Sequence, residues 1–160
     1  MVIALGCNLP GAYASREALL GAALAALPAE GLRILARSSW WASAAWPDPA
    51  APGYLNGVVL VETSLSPIET LLALHRIEAA FGRARGMVNA ARTLDLDLVA
   101  HGRAVAGEGL ILPHPRAADR RFVMGPLAEI APDWRHPVSQ ARAIDLAATA
   151  QVGADAAPIG

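Results

Sequence analysis

Residues 93 to 99 read TLDLDLV, a strict alternation of leucine and aspartate. A period of two is the period of a β-strand, so Leu94, Leu96 and Leu98 share one face while Asp95 and Asp97 share the other, about 6.5 to 7 Å apart along the chain. A helix would scatter both sets around its circumference. The segment therefore requires a sheet with one packed face and another that tolerates two neighbouring negative charges. Water, cationic side chains and hard divalent metals, for which carboxylate oxygen is the natural ligand, each satisfy that requirement. The D-x-D spacing alone does not choose among them.

The upstream sequence supplies partners for this strand. VIAL (residues 2 to 5) reads as a buried strand leaving into a turn at Gly6. A helix follows, capped by Ser15, with Leu19, Leu20, Ala23, Leu24 and Leu27 on one face and a stop before Pro28. LRILARSSWW (32 to 41) and YLNGVVLVETS (54 to 64) read as a second and a third strand, and the proline-rich ASAAWPDPAAPG between them as a loop. In SPIETLLALHRIEAAFG, Ser66 is the cap, Pro67 takes the first helical position, Glu69 closes a capping box and Gly82 ends the helix. The order over residues 2 to 99 is β-α-β-β-α-β, which predicts an α+β fold, a ferredoxin-like sandwich with two helices on one face of an antiparallel sheet. What covers the other face is left open. The rest of the chain, with a turn at LPHPR, a helix over FVMGPLAEIAP and another after HPVS, is expected to form a C-terminal strand/helix extension of the same domain, 1–160, with a frayed tail from about Gly153.

Composition narrows the function. The 160 residues are 54% hydrophobic, enough for one sizeable core, and the formal charge of −1 gives no global field for nucleic acid or an anionic membrane. An anion must be held by a local cluster. Cys7 is the only cysteine, which excludes an intrachain disulfide framework and a cysteine-rich zinc site and suits a reducing compartment. MVIALGCNLPG lacks the pattern of a signal peptide, and no run of about 18 apolar residues reads as a membrane span. A cytoplasmic location is the expectation.

Charged clusters flank the carboxylates. Arg92 lies three residues before Asp95, and Arg83 and Arg85 follow the capping-box helix. Basic residues at a helix C-terminus also complement its dipole. Yet all three lie on one connection entering the aspartate strand, so metal ligands and phosphate-binding guanidiniums can converge there, as phosphoryl transfer requires. In LPHPRAADRRFV, His114 sits between prolines with Arg116, Arg120 and Arg121 nearby. Trp40, Trp41, Trp46 and Trp134 read as packing residues, Cys7 as a small buried one, and His75, His101 and His136 show no metal-ligand spacing.

Taken in order, VIALGCNLPG, SSWW, YLNGVVLVETSLSP, IEAAFGRAR, ARTLDLDLVAHG, LPHPR and RFVMGPLAEIAPDWRHP resemble the 6-hydroxymethyl-7,8-dihydropterin pyrophosphokinase family over nearly the whole chain. The resemblance implies transfer of pyrophosphate from ATP to the pterin hydroxymethyl group with release of AMP, in folate biosynthesis, by a monomer using two Mg2+ ions. It assigns Asp95 and Asp97 to the metal, Asp95 also to the pterin, and Asp97 with Arg83 and Arg92 to catalysis. It assigns Tyr54, Asn56 and Phe122 to the pterin pocket, completed by the backbone around Ser43, Ala44 and Trp46. Arg83, Arg85, Arg92 and Arg120 then hold the ATP phosphates, and Leu71, Glu78, Leu98 and His114 line the nucleotide site. The chain departs from the family pattern in GMVNAAR, which lacks a usual basic residue and tryptophan, in GCN for glycine-serine-asparagine, in Ser43-Ala44-Ala45 where threonine and prolines are frequent, and at Ile111, where some members carry a hydroxyl. Competing readings are a metal-dependent nucleotidyltransferase, which would show Gly-Ser about ten residues before the pair, a ferredoxin-like RNA or small-molecule module, and a degenerate paralogue. Carboxylates on the sheet would repel RNA phosphate.

Overall fold

In the computed structural model, which describes residues 1–45, 47–82 and 93–160, the alternating segment forms strand β5 (Asp95–Ala100). It pairs antiparallel with β1 (Val2–Cys7), and β1 pairs antiparallel with β4 (Tyr54–Glu62). Strand β4 also carries β2 (Arg33–Arg37) and β3 (Trp41–Ser43), and a short β6 (Ala157–Pro158) adds to β3. The four strands expected from the sequence lie in the order fourth, first, third, second, which is the ferredoxin-like arrangement within an α+β fold.

Helices α1 (Arg16–Ala26) and α2 (Pro67–Ala80) cover the face that receives the leucines of β5. Ser15 Oγ accepts from the Ala18 N–H at 3.1 Å, and the capping box at Ser66 and Glu69 is closed in both directions. Both helix starts sit where their sequence signals put them. Leu94, Leu96 and Leu98 are 0%, 3% and 4% exposed, packed with Ile3, Leu5 and Cys7 of β1. Burial pushes the Cys7 thiol up to about 11, so it serves the core as a neutral apolar group. The second face is covered by α3 (Arg121–Ile130) and α4 (Ala143–Thr149), whose Val123, Met124, Leu127 and Ala143 pack on Val2, Ala4, Val58 and Val99. The sheet is thus the middle of three layers. Among the described residues, no helix is long and apolar enough to cross a membrane.

Three local expectations are corrected. Strand β1 runs through Gly6 to Cys7 instead of turning at Gly6. The expected strand 32 to 41 is two strands, because Ser38 Oγ takes the place of a backbone carbonyl in accepting the Val58 N–H (3.0 Å), while the next donor, the Ser39 N–H, leaves the ladder for Glu129 (2.7 Å). The tail does not fray: Ala157 and Pro158 pair with β3, Ala156 is 2% exposed, and the Ile159 N–H donates to the Trp40 carbonyl at 2.9 Å.

Layer spacing at β3 depends on Gly125 in α3, where a Cβ would lie 2.5 Å from the Trp41 ring. Alanine is favoured over glycine in a helix interior by roughly 1 kcal/mol, whereas overpacking costs about 1 to 3 kcal/mol. The clash is the larger effect, so Gly125→Ala is expected to lower the unfolding free energy by up to about 2 kcal/mol in urea titrations. A stabilised variant would show that the Trp41 ring yields freely.

Candidate active site

The layer of α3 and α4 covers only part of its sheet face. Beyond Ala4 and Val58 the face opens, and there the register sets Gly6 opposite Asp95 on one side and Asn56 on the other, with Ala4 opposite Asp97. A Cβ on Gly6 would stand 3.1 Å from Asn56 Oδ1, so glycine lets the amide lie across β1. Asn56 is 6% exposed and its Nδ2 donates to Ser43 Oγ at 3.1 Å, which ties β4 to the end of β3.

A cleft of about 1480 Å³ spreads over this open end and around the edge strand β5. Pockets for single small molecules run to about 1,000 Å³, so this one has room for more than one ligand. On the sheet face it is lined by Tyr54, Asn56, Asp95, Asp97 and Phe122, and around the strand edge by Leu71, His75, Glu78, Leu96 and Leu98. The carboxylates stand where the two parts meet.

Charge is arranged locally. Arg120 Nη1 lies 3.8 Å from Asp97 Oδ2, and its guanidinium carbon is 5.6 Å from the Phe122 ring centroid. Arg120 caps α3 with extended backbone, so the helix start aims its side chain at β5 and places Phe122 in the first turn. The neighbouring Arg121 is structural, donating to the Ala147 and Ala156 carbonyls at 3.0 and 3.2 Å. His114 follows the cis Leu112–Pro113 bond, and its N–H donates to the Val99 carbonyl at 2.9 Å. Burial pulls the His114 pKa below the usual value, Asp97 opposes that, and Arg120 and Arg116 reinforce it. Its Nδ1 accepts the Arg116 N–H at 3.2 Å, so the neutral ring carries its proton on Nε2.

The structure brings together Ser43, Ala44, Tyr54, Asn56, Asp95, Asp97, Leu71, Glu78, Leu98, His114, Arg120 and Phe122 around one cleft. Arg83, Arg85, Arg92 and Trp46 lie outside the described residues. Glu78 is 3% exposed and its Oε1 accepts the Leu96 N–H at 2.8 Å, which braces the outer edge of β5 between the two aspartates. Sequence reasoning missed the segment of Gln151, Val152, Gly153 and Asp155, which also lines the cleft. No local signal marks it, since its partners are distant in sequence, 32 positions for Gln151 to Asp119 and 111 for Asp155 to Ala44.

An antiparallel α+β sandwich whose open sheet face sets paired carboxylates beside an arginine, a histidine and aromatic rings has the make-up of a group-transfer enzyme. The comparisons make this particular. Residues 2–132 match the model of the 7,8-dihydro-6-hydroxymethylpterin-pyrophosphokinase (HPPK) family, to which this chain belongs. It is 42% identical over 146 residues to the 2-amino-4-hydroxy-6-hydroxymethyldihydropteridine pyrophosphokinase of Synechocystis sp., covering 91% of this chain and 73% of the relative. The protein of the same name from Methylorubrum extorquens is 39% identical over 135 residues, 82% of each chain. A crystal structure of HPPK-DHPS in complex with substrates shares the fold at a TM-score of 0.69 and 12% identity, over 92% of this chain and 42% of that one. The chain is an ATP-dependent pyrophosphokinase of folate biosynthesis.

His114 and His136 are both held below the usual histidine value of 6.5, first of all by burial. The unfolded chain therefore binds more protons than the folded one below about 6.5, and stability falls as pH drops through that range. Carboxylates with lowered values, such as Glu129, lose their contribution only further down. Thermal melts between pH 7.5 and 5.5 are expected to show a falling midpoint, with a shallower slope in His114→Gln. An unchanged slope in that variant would remove His114 from the effect.

Proposed function

We propose that residues 1–160 act as one pyrophosphokinase domain, as a monomer, with Asp95 and Asp97 binding two magnesium ions and the pterin and ATP lying on either side of them. The observation that carries this reading is the placement of both carboxylates on one face of β5, at the junction of the two parts of the cleft.

The donor set fits magnesium. Among the described residues there is no cluster of three or more His, Cys, Asp or Glu that could hold a metal ion. A closed structural site would need such a cluster, whereas magnesium keeps several waters and is bound through one or two carboxylates together with substrate phosphates. When bound, it neutralises developing phosphate charge and orients the phosphate oxygens.

The chain's own residues bind and orient. Tyr54 and Phe122 supply faces for the pterin ring, and Asn56, its amide nitrogen held by Ser43 Oγ, offers its carbonyl oxygen to the ring's donor edge. Arg120 meets the phosphates from the α3 side, and His114 donates through Nε2 without adding charge. Arg83, Arg85 and Arg92 hold the polyphosphate chain. The hydroxymethyl oxygen attacks the β-phosphorus as the α,β-bridging bond breaks, AMP departs with that bridging oxygen, and Asp97 accepts the hydroxymethyl proton. Positioning and electrostatics supply the rate.

The test is incubation of the protein with magnesium, ATP and 6-hydroxymethyl-7,8-dihydropterin, which is expected to yield AMP and pterin pyrophosphate in equal amounts. Asp97→Ala is expected to slow AMP release by roughly a hundredfold or more while leaving the thermal midpoint in place. Formation of ADP, or wild-type rates in the variant, would overturn these assignments.

A further inference from the structure

Residues 151–156 lie beyond the stretch matched to the family model, yet Gln151, Val152, Gly153 and Asp155 line the cleft. The segment is anchored at both ends. At one end the Gln151 N–H donates to Asp119 Oδ1 (3.0 Å), the Val152 N–H donates to the Asp119 carbonyl (3.0 Å), and the Val152 carbonyl accepts the Arg121 N–H (2.9 Å). At the other, β6 adds to β3 with Ala157 opposite Ala42. Between these anchors the chain passes two groups that the proposed function gives to the pterin. Gly153, at φ +65°, lies under the Phe122 ring so closely that a Cβ there would stand 2.5 Å from Phe122 Cδ1. Two residues on, Asp155 Oδ2 accepts the Ala44 N–H at 2.6 Å.

That second contact fixes the backbone leaving β3. Ser43 is the last residue of β3, paired with Tyr54, and Ala44 is the first beyond the ladder, so no strand partner sets its orientation. The Asp155 carboxylate supplies that partner across 111 positions of sequence. A short hydrogen bond to a charged acceptor is among the stronger ways to hold an exposed peptide unit.

We propose that Asp155 is a positioning residue for the pterin: it holds the Ala44 peptide, and through it the Ser43–Ala44 backbone, in the orientation that meets the ring edge, while Gly153 gives Phe122 its backing. This rests on the pterin assignment above. The role is specific to the pterin side of the cleft, because the segment's hydrogen bonds go to Asp119, Arg121 and Ala44 and its glycine backs Phe122.

The experiment compares wild type, Asp155→Ala and Asp155→Asn with magnesium, ATP and hydroxymethyldihydropterin, measuring the KM for each substrate, kcat, the thermal midpoint and amide hydrogen exchange at Ala44. Asp155→Ala is expected to raise the pterin KM roughly tenfold with the ATP KM within about twofold, and to speed exchange at Ala44. Asp155→Asn, whose side-chain oxygen still accepts from Ala44, is expected to restore the pterin KM. An unchanged pterin KM in Asp155→Ala, or parallel rises in both KM values, would overturn the proposal. So would an Asn variant as impaired as the Ala variant, because that result makes the charge itself a pterin contact. Failure of the underlying reading is separable: the wild-type enzyme would then release no pterin-dependent AMP, while Ala44 exchange would still respond to Asp155→Ala.

Discussion

The register of β1 between β5 and β4 is the constraint on which the molecule depends. Because side chains alternate with period two, a slip of one residue would turn Leu94, Leu96 and Leu98 out of the core and drive Asp95 and Asp97 into it. Each leucine contributes about 1.5 to 3 kcal/mol by being buried, and an unpaired buried carboxylate costs several more, so the correct register is held by a wide margin. The same register that hides the leucines presents the carboxylates. Glu78 adds a lock from the side by taking the Leu96 N–H on the edge that has no further strand.

Catalytic geometry then follows from incomplete coverage. Helices α3 and α4 pack on Val2, Ala4, Val58 and Val99, and Gly6, Asn56 and Asp95 further along the sheet line the cleft. Small residues at positions 4 and 6 keep the floor of the cleft low next to both aspartates. The bare end of the sheet is where a ligand can lie flat against strands whose side chains are fixed by the core beneath them. Rigid elements thus carry the pair, and connections carry Arg120, His114 and Ala44.

Local signals were legible where one residue's chemistry determined its own backbone. The Leu-Asp alternation, the Ser15 cap and the Ser66–Glu69 capping box all give the structure they imply, and with them the ferredoxin-like order. Legibility failed where a side chain acts on a distant partner. Nothing in SSWW announces that Ser38 Oγ will replace a carbonyl of the ladder, or that Glu129 will collect the Ser39 N–H, the Ser39 hydroxyl and the Trp41 Nε1–H. Arg120 and Arg121 are equivalent in sequence, but the start of α3 sends one to Asp97 and the other to the carbonyls of Ala147 and Ala156. The tail from Gly153, expected to fray as chain ends do, is ordered because β3 offers an open edge and Asp119 and Arg121 a second anchor.

On the proposed assignment an anion site is built around carboxylates, and the electrostatics of the cleft give the reason. Two charges about 7 Å apart repel by roughly 2 kcal/mol at an effective dielectric of 20, and a polyphosphate brought beside them adds further repulsion. Arg120 faces Asp97 at 3.8 Å, and burial, with Arg120 and Arg116 beside it, holds the His114 pKa below its usual value. With an overall charge of −1, the chain has no general positive field to compensate. The balance becomes favourable when divalent cations enter with the nucleotide, since the carboxylates then attract what the phosphates bring. On the proposed assignment, affinity for ATP and for metal is coupled through Asp95 and Asp97, and each raises the other by the same factor. On that assignment the acidic face of β5 works against free nucleotide and in favour of its metal complex, a selectivity for the form of ATP that can react.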